Sequence, residues 1–173
     1  MSQELAAIAP SDYVLGVSSL VHITVCRFET DVENISSIWE RVRDIAPSFS
    51  LDAKRFYWAP NTGDIFQFTG IEISKPEALL AFQQKLVDVL APIQVKNPIG
   101  PQYFPHFTLG YNDLSQSPNI LATMKKESAI WQQPFTFKLV LGVDGAKGKF
   151  EKIIYSWGVR LALRLNYPQN KPI

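Results

Sequence analysis

At 173 residues, 46% hydrophobic and 12% aromatic, the chain suits one domain with a packed interior, and no apolar run reaches the length of a membrane span. Its 17 basic and 16 acidic residues leave a net charge of +1, which argues against a grip on long duplex nucleic acid and fits a small phosphorylated ligand or one RNA end. Cys26 is the only cysteine, which excludes an intramolecular disulfide and a cysteine zinc cage, and Met1-Ser2-Gln3-Glu4-Leu5 lacks the basic start and apolar core of a signal peptide; a cytoplasmic monomer is expected.

Tyr13–Val17 is expected to form a short strand. Leu20–Phe28 reads as a longer one, with His22, Thr24 and Cys26 on one face and Ile23 and Val25 on the other. Thr30 and Glu33 make a capping box for a helix whose apolar side is Ile35, Ile38, Trp39, Val42 and Ile45, and Pro47 ends it. Phe49–Trp58 is a strand, Pro60-Asn61-Thr62-Gly63 a turn and Ile65–Ile73 another strand. Ser74 and Glu77 make a second capping box, with Pro76 in the first turn. The helix it opens runs through Leu90 and turns Leu79, Leu80, Phe82, Leu86 and Leu90 inward; Pro92 marks its end.

The stretch 91–102 is a Pro- and Gly-rich loop, and Tyr103–Tyr111 follows as a strand. A shorter helix starts at Ser117-Pro118 and fades before Trp131. Phe135–Val143 alternates as a strand should, Asp144-Gly145 signals a hairpin, and Lys149–Leu165 holds one or two strands before a frayed tail from Tyr167.

The two histidines of the chain open the same tripeptide, His22-Ile23-Thr24 and His106-Phe107-Thr108, each in an apolar stretch. With seven threonines in 173 residues, a Thr two places after both histidines is a coincidence on the order of one in several hundred. In a strand, residues i and i+2 share a face, so each motif sets an imidazole beside a hydroxyl. The motifs are 84 residues apart, and each heads a motif strand, helix, strand, strand series. This weak repeat predicts an α+β fold across 1–173, with pseudo-symmetric lobes at about 18–75 and 100–165. Antiparallel sheets would form a central cleft with helices packed on the outer faces. The motif strands should be central and adjacent, their imidazoles facing one another.

Val21-His22-Ile23-Thr24-Val25 and Tyr103-Phe104-Pro105-His106-Phe107-Thr108-Leu109-Gly110 resemble the paired HxTx motifs of the 2H phosphoesterase superfamily, which includes 2'-5' RNA ligases and cyclic nucleotide phosphodiesterases. The resemblance covers roughly residues 13–165. Tyr111 stands where many bacterial members carry an Arg. The resemblance implies a hydrolase that opens a 2',3'-cyclic phosphate, or a related cyclic phosphodiester, on an RNA end or small nucleotide, without metal or cofactor. His22 and His106 would serve as acid and base, and Thr24 and Thr108 would donate to the phosphoryl oxygens. The reverse reaction, with a 5'-hydroxyl as nucleophile, would make a 2'-5' linkage. Lys54 and Lys138 are candidates to contact phosphate, and Tyr103 to stack a base.

Other readings of the same residues are open. The histidines are core or edge residues in the plainest one. A metal site would need a third ligand, and no Asp or Glu lies at i±2 of either histidine. A non-catalytic module that binds a nucleotide or RNA end would keep the same cleft. Arg27 falls on the opposite parity from His22 and reads as a surface residue, and Cys26 as packing.

Overall fold

The computed structural model describes residues 19–60, 66–113, 138–145 and 149–156. The expectations for Tyr13–Val17, the turn at 61–63, the helix after Ser117, the start of the strand at Phe135 and the chain beyond Ser156 lie outside them. Within them the fold is α+β, with two helices and two antiparallel sheets. Strands β1 (Ala53–Pro60), β2 (Phe66–Ile73) and β3 (His106–Asp113) form one sheet in that order, and β4 (Val140–Asp144) and β5 (Phe150–Ser156) the other.

Helix α1 (Ile35–Val42) follows a 3-10 turn at Val32–Asn34. It buries Ile38, Trp39 and Val42, as the spacing requires. Helix α2 (Glu77–Leu90) buries Leu79, Phe82, Leu86 and Leu90 on one side. Neither capping box forms. No side chain caps Asn34 or Pro76, the residues before α1 and α2. The Ser74 hydroxyl instead accepts from the Asp52 amide at 2.9 Å, while the Ser74 amide donates to the Asp52 carbonyl at 2.7 Å. The hydroxyl that would cap α2 is thereby committed to the entry of β1.

Two apolar clusters organise these elements. Leu51, Ile71, Ile73, Leu79, Phe107 and Leu109 fill the first, between the three-stranded sheet and the start of α2. Ile38, Trp39, Val42 and Ile45 join Phe82, Leu86 and Leu90 in the second, with Leu139, Leu141 and Tyr155 of the other sheet packed against it. Trp39 stacks on Tyr155 with ring centroids 5.6 Å apart. Burying such a side chain contributes about 1.5–3 kcal/mol, so α2, which feeds both clusters, ties the two sheets together.

The stretch Leu20–Phe28 does not form the expected strand. Only Ser19 makes a bridge, the Leu20 amide donates to the Phe150 carbonyl at 3.0 Å, and the chain bends at Val25. The carbonyls of Thr24 and Val25, which a ladder would use, are taken by side chains: Tyr103 Oη donates to the first at 2.9 Å, and Gln83 Nε2 and Asn97 Nδ2 to the second at 2.9 and 3.0 Å. The bend also ends the alternation, so Cys26 joins Val25 against the second cluster. The second motif does lie on a strand, β3, which among the described residues pairs only with β2. The residues ahead of the first motif thus meet β5, where His22 lies against Phe150, and the second motif joins β1 and β2 from the N-terminal half.

Candidate functional site

Strand β3 alternates cleanly at its start. Phe107 enters the core, while His106 and Thr108 are half-buried on the other face. In register, Arg55, Glu72 and His106 form one row across the sheet, and Tyr57, Gly70 and Thr108 the next. A bulge at Lys54 decides which β1 side chains share that face. Ala53 lies opposite Ile73 and Arg55 opposite Glu72, so one extra residue flips the parity. Arg55 and Tyr57 therefore stand on the His106 face, where the uninterrupted alternation would put Lys54, and Lys54 is exposed at the bulge. Lys138 is also exposed, ahead of β4.

Gly70 has a specific task here. A Cβ at this position would overlap the Tyr57 ring and the Phe107 carbonyl oxygen. Its absence lets Tyr57 cross β2 and set its ring edge-on to His106, with centroids 5.2 Å apart. Phe104 stacks on the same imidazole with centroids 5.4 Å apart and meets Tyr57 edge-on at 5.1 Å.

The two histidines have matching local bonds. His22 Nδ1 lies 2.8 Å from the Leu20 carbonyl oxygen, and His106 Nδ1 lies 2.8 Å from that of Phe104, in each case two residues earlier. A carbonyl only accepts, so Nδ1 carries the proton in both rings and Nε2 keeps its lone pair. Each imidazole is half-buried against an aromatic ring, with Phe150 5.0 Å from His22. Burial lowers the pKa of both from the usual 6.5, and the carbonyl bonds oppose that shift. The Asp144 carboxylate also favours protonated His22, whereas the charge of His22 disfavours protonation of His106. The two imidazoles are thus within electrostatic reach, and protonating both at once is disfavoured.

Thr24 is exposed and Thr108 half-buried, and among the described residues neither hydroxyl has a hydrogen-bond partner. Both are available as donors to a ligand. Tyr103, expected to contact substrate, is instead only 3% exposed, and its hydroxyl is spent on the Thr24 carbonyl. Its role is to hold the first motif against the approach to the second. Tyr111 is buried against Phe68, with centroids 4.8 Å apart. Burial pushes the Cys26 thiol up to about 12, which disfavours the thiolate at neutral pH. Among the described residues, no three His, Cys, Asp or Glu side chains group as a metal site would need, and no helix is long and apolar enough to cross a membrane.

Several supporting residues escape a reading of the sequence. Gln83 is 1% exposed and bridges three backbone groups: its Nε2 donates to Val25 and Pro98 at 2.9 and 3.3 Å, and its Oε1 accepts from Gly100 at 3.0 Å. One signal for it exists, a polar residue between Leu79 and Leu86 on the apolar side of α2. Gly100, at φ 61°, takes a backbone form open mainly to glycine and starts the short 3-10 turn leading to Tyr103. Lys75 Nζ secures the same approach through the carbonyls of Pro101 and Tyr103 at 2.7 and 3.0 Å. Asn97 Oδ1 accepts from the Arg27 amide at 2.6 Å, and Arg27 pairs with Asp144 at 2.7 Å. Arg27 is exposed, as its parity suggests, yet it holds the carboxylate whose field reaches His22.

No protein-family model matches the chain, and no curated protein does.

Proposed function

We propose that the chain is a 2H-type phosphoesterase, opening a 2',3'-cyclic phosphate or related cyclic phosphodiester on an RNA end or small nucleotide. The matching environments of His22 and His106 carry this reading: each has Nδ1 fixed on a carbonyl at 2.8 Å and an Nε2 with no partner among the described residues. Two such rings on opposite sides of one phosphorus supply both proton transfers of an in-line displacement. The neutral ring takes a proton from the attacking water, the P–O bond to one ribose oxygen breaks, and the imidazolium protonates that oxygen. Repulsion between the two charges disfavours the doubly protonated pair, which would have no base. Thr24 and Thr108 donate to the non-bridging oxygens, where charge grows in the transition state. In this reading the two sheets flank a central cleft, and the reverse reaction forms a 2'-5' linkage.

The test is a panel of 2',3'-cyclic nucleotides and an RNA with a 2',3'-cyclic phosphate end, with product position read by phosphorus NMR in EDTA. Ring opening to a single monoester is expected. Activity that chelation abolishes and a divalent ion restores would make the histidines ligands and overturn the mechanism. Binding without turnover would reduce the protein to a nucleotide-binding module.

A further inference from the structure

The proposed chemistry uses the inner edges of the two imidazoles and leaves the rings around His106 unexplained. Phe104 is 40% exposed although it packs on both His106 and Tyr57. An aromatic ring this open beside a polar site costs hydration, and burying it under a ligand recovers that cost. The cluster is also built with some care. Gly70 leaves the space through which Tyr57 reaches across β2, and Tyr57 meets Phe104 at 87°, which props the Phe104 ring from the side. Its stacked neighbour is the His106 ring, inclined at 29°. The Phe104 ring is thus held in one orientation, with an apolar π-face at the edge of the site.

We propose that Phe104, backed by Tyr57, is the base-binding wall of this site, stacking the nucleobase of the nucleotide whose phosphate lies between His22 and His106. This rests on the phosphoester reading for the position of the phosphate. A planar base at the usual stacking distance of about 3.5 Å on the face of Phe104 turned away from His106 would stand at most about 9 Å from the His106 ring. A nucleoside spans that gap when its phosphate is in contact with His106. The ligand class is therefore a base-bearing phosphate rather than a bare sugar or alkyl cyclic phosphate. Stacking tolerates any base, because each has a π-face.

The experiment titrates the full chain with adenosine 2'-monophosphate and, separately, with inorganic phosphate, following the two histidine imidazole signals by NMR. Wild type should bind the nucleotide about 5- to 100-fold more tightly than phosphate, the range one base–aromatic stack supplies. The ring current of the base should also shift the His106 signals beyond the change phosphate causes. Phe104→Ala and Phe104→Leu should lose most of that preference, and Phe104→Trp should keep it. The leucine variant retains apolar bulk against Tyr57, so it stays informative if the alanine variant fails to fold. Equal binding of the two probes by wild type, or an unchanged preference in Phe104→Leu, would overturn the proposal. A base preference that depends on Phe104, in a protein that opens no cyclic phosphate, would uphold the wall and sink the hydrolase reading. Equal turnover of a nucleotide and a base-free sugar cyclic phosphate would do the reverse.

Discussion

Gln83→Leu offers the sharpest check on how the first motif is held. Gln83 lies almost fully inside the protein, and leucine of similar volume suits the apolar residues beside it on α2. The substitution removes three hydrogen bonds of unequal weight. The Gly100 amide loses the partner that Gln83 Oε1 provides, and an orphaned buried donor costs about 1–3 kcal/mol. The carbonyls of Val25 and Pro98 each keep a bond from Asn97 Nδ2, both at 3.0 Å, so each loses no more than a net bond of about 0.5–1.5 kcal/mol. Pro98 is exposed, and water replaces its 3.3 Å contact at little cost. Added leucine burial returns about 1 kcal/mol. The net loss should be about 0.5–3.5 kcal/mol, read as a lower urea midpoint at unchanged slope. Asn97→Ala supplies a second arm. Each carbonyl keeps one donor after either single change and neither after both, so the double variant should lose more than the sum of the two, by about 0.5–1.5 kcal/mol. A Gln83→Leu protein within about 0.5 kcal/mol of wild type, or strict additivity with Asn97→Ala, would refute the hub role of Gln83.

His22→Ala and His106→Ala should each lower kcat by about 10²–10⁴, and in steady-state assays the double variant should fall well short of the product of the single losses, because the two rings act as a unit. Thr24→Val and Thr108→Val should cost about 10- to 1000-fold in kcat while leaving the urea midpoint near wild type, since neither hydroxyl is bonded among the described residues. Burial depresses both imidazole pKa values below 6.5, so the folded chain binds fewer protons there than the unfolded one. The stability this represents is fully present above pH 6.5 and is lost as pH falls through the folded-state values. Urea unfolding from about pH 8 to about pH 5 should show that decline in wild type and a flatter profile in the His22→Gln, His106→Gln double variant; identical profiles would contradict it.

The paired His-x-Thr motifs, the α+β character and the buried faces of both helices were legible in the sequence, because each is a local pattern. Period 3.6 marks Ile38, Trp39 and Val42 whatever they pack against, and period 2 puts His106 beside Thr108 and opposite Phe107. What only the tertiary structure decided depends on partners distant in the chain. Leu20–Phe28 alternates like a strand, yet its carbonyls go to Gln83, Asn97 and Tyr103, and side-chain competition of that kind leaves no local trace. Tyr103 looked like a ligand contact because its neighbours belong to a motif, but a core and a carbonyl 79 residues away claim it. The Lys54 bulge has no sequence signature, and one inserted residue exchanges which side of β1 meets the site. Strand patterns name two faces without saying which one is turned inward; bulges and long-range hydrogen bonds make that choice, and here they set Arg55, Tyr57 and Gly70 beside His106.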